Sequence, residues 1–145
     1  MYGLVMNPQA IVPELDVSDL DQSMEFYIGV LGFDILFRRD QERFVYIERE
    51  GAHLIIEEAD GPGRRFRTAE LQKPFGRGVN LQIRTLDVAK LYEAVVKAGL
   101  EPLIEMETSW YRQADIERGN RQFVVADPDG YLLRFYSDLG SRAAR

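Results

Sequence analysis

The chain has 145 residues, with 18 Lys and Arg, 24 Asp and Glu, one His and no Cys, and its formal net charge is −6. This length suits one compact domain or two small halves that share a core. Hydrophobic residues make up 46% of the chain and charged residues 29%, which argues against disorder. The lack of Cys excludes disulfides, thiolate metal sites and a Cys nucleophile, and one His excludes an all-His metal cage within one chain. The acidic balance disfavours nucleic acid as a partner.

The chain begins with a predicted strand and helix. Residues 10–17 alternate between apolar and polar side chains, which predicts a strand. One face of this strand is apolar and carries Ile11, Leu15 and Val17. A helix follows from an N-cap at Ser18 to about Leu31, and Gly32 ends it. The apolar stripe of this helix consists of Leu20, Met24, Tyr27, Ile28 and Leu31.

Three strands and a polar loop complete the first half. The strands are predicted at 33–39, 42–49 and 52–57. Asp40-Gln41 and Glu50-Gly51 are typical of hairpin turns. The stretch 58–77 is rich in Gly, Pro and charge and predicts a loop with one helical turn at 68–72. Its arginines are expected to be solvated: Arg64, Arg65 and Arg67.

The same order of elements is then repeated. A strand at 78–84, with apolar Val79, Leu81 and Ile83, precedes a helix at 87–98 that Asp87 starts and Gly99 ends. The buried stripe of this helix is predicted to be Leu91, Val95 and Ala98. The last strands are predicted at 102–107, 121–126 and 131–137. The second half is about twelve residues longer than the first, and the extra residues are placed at 107–120.

The chain is therefore predicted to be α+β, with two paired βαβββ modules whose sheets form a cup. The predicted parts are an N-terminal arm, the first module, a connecting loop, the second module and a C-terminal tail, at 1–9, 10–58, 59–77, 78–138 and 139–145.

Strand alternation places Leu54, Ile56, Leu133 and Phe135 under the helices and a mixed polar set on the opposite face. That set comprises Val12, Glu14, Asp16, His53, Ile55, Glu57, Asn80, Gln82, Arg84, Leu132, Arg134 and Tyr136. One interpretation is an ordinary solvated sheet face. The other is a concave groove, because a partly apolar lining with a few polar groups is typical of ligand pockets.

Two sequence segments resemble a known family. Residues 23–33, SMEFYIGVLGF, resemble the helix signature of the vicinal oxygen chelate superfamily, and residues 123–135, FVVADPDGYLLRF, resemble its C-terminal hairpin. The superfamily includes glyoxalase I, extradiol dioxygenases, fosfomycin-inactivating enzymes and bleomycin resistance proteins. The resemblance covers about residues 10–138 and implies the duplicated βαβββ fold, whereas one scaffold hosts several chemistries.

The resemblance also implies where a metal ion would be held. Metal enzymes of the superfamily bind a divalent ion through His and Glu at four strand positions, which here correspond to Val12, Ile55, Asn80 and Arg134. Two of these side chains are aliphatic, one is an amide and one is a cation, so none is a usual ligand for a divalent ion. The chain is most similar to the bleomycin resistance branch, which lacks this metal and works by binding.

We therefore expect a metal-independent protein that binds or sequesters a small molecule, with antibiotic resistance as a candidate role. We expect neither a cofactor nor a metal ion, and we do not expect enzymatic activity. The ligand is expected to be bleomycin-like or another aromatic or cationic compound, although Arg84 and Arg134 leave an anionic or neutral ligand open. The predicted ligand-binding residues are Glu14, His53, Glu57, Asn80, Gln82, Trp110, Tyr111, Arg134 and Tyr136.

Trp110 is expected to stack on the ligand, so Trp110→Ala should weaken binding and leave the fold intact. The alternative function is a divalent-metal-dependent enzyme, a lyase or dioxygenase, with displaced ligands such as His53 and nearby carboxylates. A third is a structural or regulatory dimer without a ligand. Uncovered sheet edges and the resemblance both predict a homodimer, with the N-terminal strand as a candidate for exchange between chains. No membrane or targeting segment is visible, and a cytoplasmic location is expected.

Overall fold

The computed structural model describes residues 7–145, so most of the predicted arm at 1–9 lies outside the described residues. These residues form two compact units, up to Phe75 and from Gly76 onward, each with one four-stranded sheet. The predicted α+β fold with two βαβββ modules is confirmed. The described part of the chain contains no helix long and apolar enough to cross a bilayer.

The first unit contains strands β1 to β4 and one helical segment. The strands are β1 (Glu14–Val17), β2 (Asp34–Arg39), β3 (Phe44–Arg49) and β4 (Ala52–Glu58). Their order in the sheet is β1-β4-β3-β2, with β1 parallel to β4 and the other pairs antiparallel.

The helical segment of the first unit differs from its prediction at both ends. Helix α1 (Leu20–Met24) begins after Asp19, whose side chain accepts a hydrogen bond from the Gln22 N–H at 3.1 Å. The predicted N-cap Ser18 is therefore wrong by one residue, because Asp19 is the extended residue that satisfies a free helix N–H. The chain continues as a π-helical segment (Glu25–Val30).

The π-helical segment changes which side chains are buried. The Leu31 N–H donates to the carbonyl of Phe26, five residues back, at 3.0 Å. Because this geometry shifts the side chains around the axis, Phe26 is buried and the predicted core residues Met24 and Ile28 are only partly buried. Tyr27 and Leu31 are buried as predicted.

The core of the first unit lies on the helix side of its sheet. Alternation correctly predicted Leu15, Val17, Leu54 and Ile56 as buried. Ile11 is wrong, since 81% of it is exposed: it precedes the first residue of β1, so the strand period does not apply to it.

The connections of the first unit also depart in part from prediction. Glu50 and Gly51 form the predicted tight turn, with φ angles of 49° and 89°. Asp40–Glu42 instead forms a 3₁₀ turn, and Arg43 in the left-handed region ends it. The predicted helical turn at 68–72 is absent from the structure, which has bends and irregular chain there.

The second unit contains helix α2 and strands β5 to β8. Strand β5 (Asn80–Arg84) leads into α2 (Val88–Lys97), which the Asp87 side chain caps as predicted by accepting from the Lys90 N–H. The other strands are β6 (Ile104–Gln113), β7 (Ile116–Ala126) and β8 (Leu132–Ala143). The order is β5-β8-β7-β6, with β5 parallel to β8.

Helix α2 covers one face of this second sheet. Val88, Leu91 and Val95 are its buried residues, and the Tyr92 ring lies 5.2 Å from that of Phe123. Ala98 is exposed, contrary to prediction, because the helix already ends at Lys97. Val79 is 58% exposed because β5 begins only after it.

The extra residues of the second half form a long hairpin arm. This hairpin arm consists of residues 108–120, the parts of β6 and β7 and their turn that lie between the predicted strands, together with Leu139–Ala143 of β8. The turn between β6 and β7 contains Ala114, with a φ of 56°. Strand β8 thus continues into the segment predicted as a tail.

Candidate functional site

The second unit holds a pocket of about 590 Å³ on the sheet face opposite α2. Alternation along β7 and β8 creates this face: Phe123 and Phe135 are fully buried in the helix-side core, while Gln122, Arg134 and Tyr136 point the other way. Its volume is in the range of small-molecule sites. Residues predicted for ligand binding that line it are Gln82, Tyr111, Arg134 and Tyr136.

A hydrogen-bonded group of side chains fixes one wall of this pocket. The buried Gln122 amide nitrogen donates to the Tyr111 hydroxyl at 2.6 Å and to the Glu107 carboxylate at 3.2 Å. Gln122 is 3% exposed, and its amide oxygen has no partner among the described residues. The Tyr111 ring is therefore held in place by a buried amide, although Tyr111 itself is 41% exposed.

The charged groups of the pocket are mainly basic. Arg112, Arg118, Arg134 and Asp138 contribute to the lining. Arg118 pairs with Asp138 at 2.5 Å, and the Arg112 Nε donates to the carbonyl of Ala114 at 2.8 Å. The Arg134 guanidinium lies 5.8 Å from the centre of the Tyr111 ring.

Trp110, predicted as the main stacking residue, lies on the other face of the sheet. It is opposite Gly119 on β7, and the Arg142 guanidinium stacks over its ring at 3.9 Å. A Cβ on Gly119 would come within 2.7 Å of the indole, so this glycine makes room for the ring. Trp110 does not line the pocket; its contact with a ligand stays a prediction.

The corresponding face of the first unit is acidic, but loop arginines already bind its carboxylates. The Arg65 Nη1 lies 3.1 Å from Glu57, and the Arg67 Nε lies 2.8 Å from Asp16. The expectation that these arginines are solvated is wrong for Arg65, whose side chain is 11% exposed. Burial raises the pKa of Glu57, and the Arg65 charge partly offsets this effect.

The other predicted site residues of the first unit lie on the same face. His53 Nδ1 and the Tyr46 hydroxyl share a hydrogen bond of 2.8 Å, whose direction depends on the imidazole tautomer. Burial raises the pKa of Tyr46. Glu14 is exposed next to Ile55 in the ladder, and in the second unit Asn80 is exposed at the start of β5. Asn80 is not among the residues that line the pocket.

The residues at the four implied metal positions do not fit a divalent ion. Val12 and Ile55 have no donor atom, Asn80 has a weak one, and Arg134 carries a positive charge. Within residues 7–145, no group of three or more His, Asp or Glu side chains is arranged to hold a metal. Of the displaced candidates, His53 is bonded to Tyr46 and Glu57 to Arg65.

Five pocket residues were not predicted: Arg112, Gln113, Arg118, Asn120 and Asp138. They lie where β6, β7 and β8 continue beyond their predicted bounds. A signal was present, because the alternation that buries Phe123 and Val125 can be followed backward to Asn120 and Arg118. The register shift at Gly119 and Asn120 skips Leu139 of β8, and the alternation along β7 continues through it.

Comparison with known proteins identifies the family to which this chain belongs. Residues 11–135 match the model of the Glyoxalase/Bleomycin resistance protein/Dioxygenase superfamily, and the chain belongs to this superfamily. The resemblance noted from the sequence is thereby confirmed.

Individual relatives are more distant. A bleomycin resistance protein from Geobacillus stearothermophilus is 26% identical over 137 residues, covering 90% of this chain and 97% of the relative, and one from Staphylococcus aureus matches equally. Among solved structures, TioX from Micromonospora sp. ML1 has a TM-score of 0.68 at 20% identity, covering 91% of this chain and all of TioX. A protein of unknown function from Agrobacterium tumefaciens has a TM-score of 0.67 at 26% identity, covering 93% and 98%.

Proposed function

We propose that the protein is a metal-independent binding protein that sequesters an organic small molecule in the pocket of its second unit. The observation that carries this proposal is the pocket itself, which combines a suitable volume with the ordered Tyr111 ring and several hydrogen-bonding side chains. Arg134 at an implied metal position supports binding without a metal, because a guanidinium repels a divalent ion.

Sequestration of an antibiotic is the physiological role that the curated relatives suggest, since those proteins are named bleomycin resistance proteins. We further propose that the protein is a homodimer, because the sheet of each unit ends in two edge strands. We also propose a cytoplasmic location, with which the lack of Cys agrees.

The first test is metal analysis of the purified protein followed by calorimetric titration with EDTA present. We expect no stoichiometric metal, and binding of a flat organic compound that EDTA does not change. Stoichiometric zinc, nickel, iron or manganese, or binding lost on chelation, would instead support the alternative of a metal-dependent lyase or dioxygenase. Bleomycin is one arm of the titration, and its failure to bind would remove the proposed resistance role alone.

Two neighbouring aromatic residues allow a matched comparison of the site. Tyr111→Ala removes a pocket wall, and Trp110→Ala removes a ring on the opposite face. We expect Tyr111→Ala to weaken binding about tenfold, or ~1.4 kcal/mol, with a smaller effect for Trp110→Ala. A larger loss for Trp110→Ala would show that the ligand lies on the other face of the sheet.

A further inference from the structure

The pocket of the second unit differs in charge from the chain that contains it. Its lining includes three arginines and one aspartate, a net charge of +2, whereas the whole chain has a net charge of −6. A concave site lined with one sign of charge attracts ligands of the opposite sign. The charge of the lining thus favours an anion.

The three arginines are not equally available to a ligand. Arg118 is paired with Asp138, and Arg112 donates to the carbonyl of Ala114 in the β6–β7 turn. Arg134 has no carboxylate partner among the described residues, and its Nε is buried without a hydrogen-bond acceptor. A buried donor without an acceptor costs free energy, and a charged donor costs more. An acceptor supplied by a ligand would remove this cost.

Neighbouring side chains can complete the recognition of an oxyanion. Gln82 is adjacent to Arg134 in the parallel ladder, and Tyr136 lies two residues further along β8 on the same face. Asn120 is 8% exposed and also lines the pocket. The amide N–H groups of Gln82 and Asn120 and the hydroxyl of Tyr136 are hydrogen-bond donors.

The first unit shows the opposite situation. Its acidic groups Asp16 and Glu57 already bind Arg65 and Arg67, which belong to the same unit. A cationic ligand would have to displace these arginines. An anionic ligand in the second unit would meet a guanidinium that has no competing carboxylate.

From these contacts, and resting on the binding function proposed above, we propose that the pocket selects organic anions. Arg134 receives the carboxylate or phosphate group of the ligand through charge-assisted hydrogen bonds. The flat part of the ligand packs against the Tyr111 ring, whose hydroxyl Gln122 holds.

The test uses four probes that share one ring system and differ in charge. They are 2-naphthoate, 2-naphthyl phosphate, 2-naphthamide and 2-naphthylmethylammonium, each titrated into the full-length protein by calorimetry in EDTA-containing buffer. We expect at least one anion to bind tenfold or more tightly than the amide, and the ammonium to bind more weakly than the amide. The two anions distinguish a carboxylate site from a phosphate site.

Three variants assign the preference to Arg134. Arg134→Gln should abolish the difference between anion and amide, and Arg134→Lys should keep part of it. Arg121→Gln is the matched control, because Arg121 is an exposed arginine on the same strand as Gln122 but is not among the pocket residues. It removes the same charge and should keep the preference. Thermal unfolding checks that each variant folds. If Arg134→Gln does not fold, the probe series with the wild-type protein still tests the preference for anions.

The outcomes separate the two proposals. If the amide or the ammonium probe binds as tightly as the anions, or Arg134→Gln keeps the preference, the inference about anions is wrong and the binding function stands. Tight binding of bleomycin by a protein that shows no preference for the anionic probes would have the same meaning. If no probe binds at millimolar concentration, the anion inference fails together with the proposed binding site. If binding requires an added metal, only metal independence is wrong.

Discussion

Glu58, the last residue of β4, connects three parts of the first unit. Its carboxylate accepts from the Arg43 guanidinium at 2.9 Å and from the Leu20 N–H, at the start of α1, at 3.0 Å. The Arg43 hydrogen bond, followed by that of the Leu20 N–H, lowers the pKa of Glu58. Arg43 itself adopts a left-handed conformation at the end of the 3₁₀ turn. Glu58 thus joins a strand end, a helix start and a turn.

The lowered pKa predicts a pH-dependent contribution to stability. A carboxyl group whose pKa is lower in the folded state stabilises the fold above its unfolded pKa of about 4.3, and the contribution is lost as pH falls through the folded pKa. Because both partners are partly exposed, we expect Glu58→Gln to cost only about 1 kcal/mol at pH 7. In urea unfolding, the difference in unfolding free energy between Glu58→Gln and wild type should shrink as the pH falls from about 5 to about 3, where carboxyl groups of this kind become protonated.

Glu42→Gln is the control for this experiment, because Glu42 pairs with Arg39 on an exposed surface. Its effect at pH 7 should be smaller than that of Glu58→Gln. A Glu58→Gln difference that stays constant from neutral to acidic pH would contradict the assignment.

At the scale of elements, the turn between β7 and β8 depends on one aspartate. The Asp127 Oδ1 accepts from the backbone N–H groups of Asp129, Gly130 and Tyr131, each at 2.9 Å. Asp127 is 4% exposed, and Gly130 has a φ of 109°. The sequence predicted a tight turn here, and the structure shows that a side chain satisfies three of its N–H groups.

Replacement of Asp127 should therefore destabilise the second unit. Asp127→Ala removes the carboxylate acceptor of the Asp129 and Tyr131 N–H groups, whereas the Gly130 N–H keeps the Asp127 carbonyl at 3.0 Å. We expect a loss of about 2–3 kcal/mol in the free energy of unfolding. Asp127→Asn keeps an oxygen acceptor of the same size and should cost clearly less. Urea unfolding of both variants, followed by circular dichroism, gives the comparison. Equal losses for Ala and Asn would mean that the hydrogen bonds do not account for the effect.

Much of each element could be predicted because one side of each sheet is covered by a helix. Covered strands show the two-residue period, as in Leu54 and Ile56 or Leu133 and Phe135, and these positions are buried as predicted. The arm could not be recognised this way, since neither of its faces carries a run of apolar side chains. Its polar residues match a solvated loop as well as a strand.

In the candidate site, too, residues on helix-covered strands could be predicted, and residues whose contacts depend on the fold could not. Gln82, Arg134 and Tyr136 were predicted because they alternate with core residues. The assignment of Arg65 to solvent was wrong because its partners lie on strands, Asp16 on β1 and Glu57 on β4, and only the fold brings the loop against them. Trp110 was predicted as a site residue because of its aromatic ring, but the strand register determines which face of the sheet the ring lies on.

At the scale of the molecule, each sheet has edge strands whose backbone can pair with a second chain. Strand β6 is an edge of the second sheet and most of its ten residues are exposed. Exposed edges are usually covered or blocked in natural proteins. This supports the proposed homodimer.

Light scattering coupled to size-exclusion chromatography tests the homodimer. We expect a mass twice that of the 16.7 kDa chain, unchanged by EDTA, because the proposed association needs no metal. The ligand probes should leave the mass unchanged. A mass of one chain at micromolar concentration would refute the dimer while leaving the pocket of the second unit in place.

The indole of Trp110 is the only one in the chain, and it lies between Gly119 and the Arg142 guanidinium. Its fluorescence is therefore a built-in spectroscopic reporter, and no dye has to be attached to observe this region. Because the ring lies across the sheet from the cavity, a compound bound there does not stack on the indole and can alter its emission only indirectly. Emission changes on titration would therefore report an effect transmitted across the sheet, whereas calorimetry reports occupancy of the cavity.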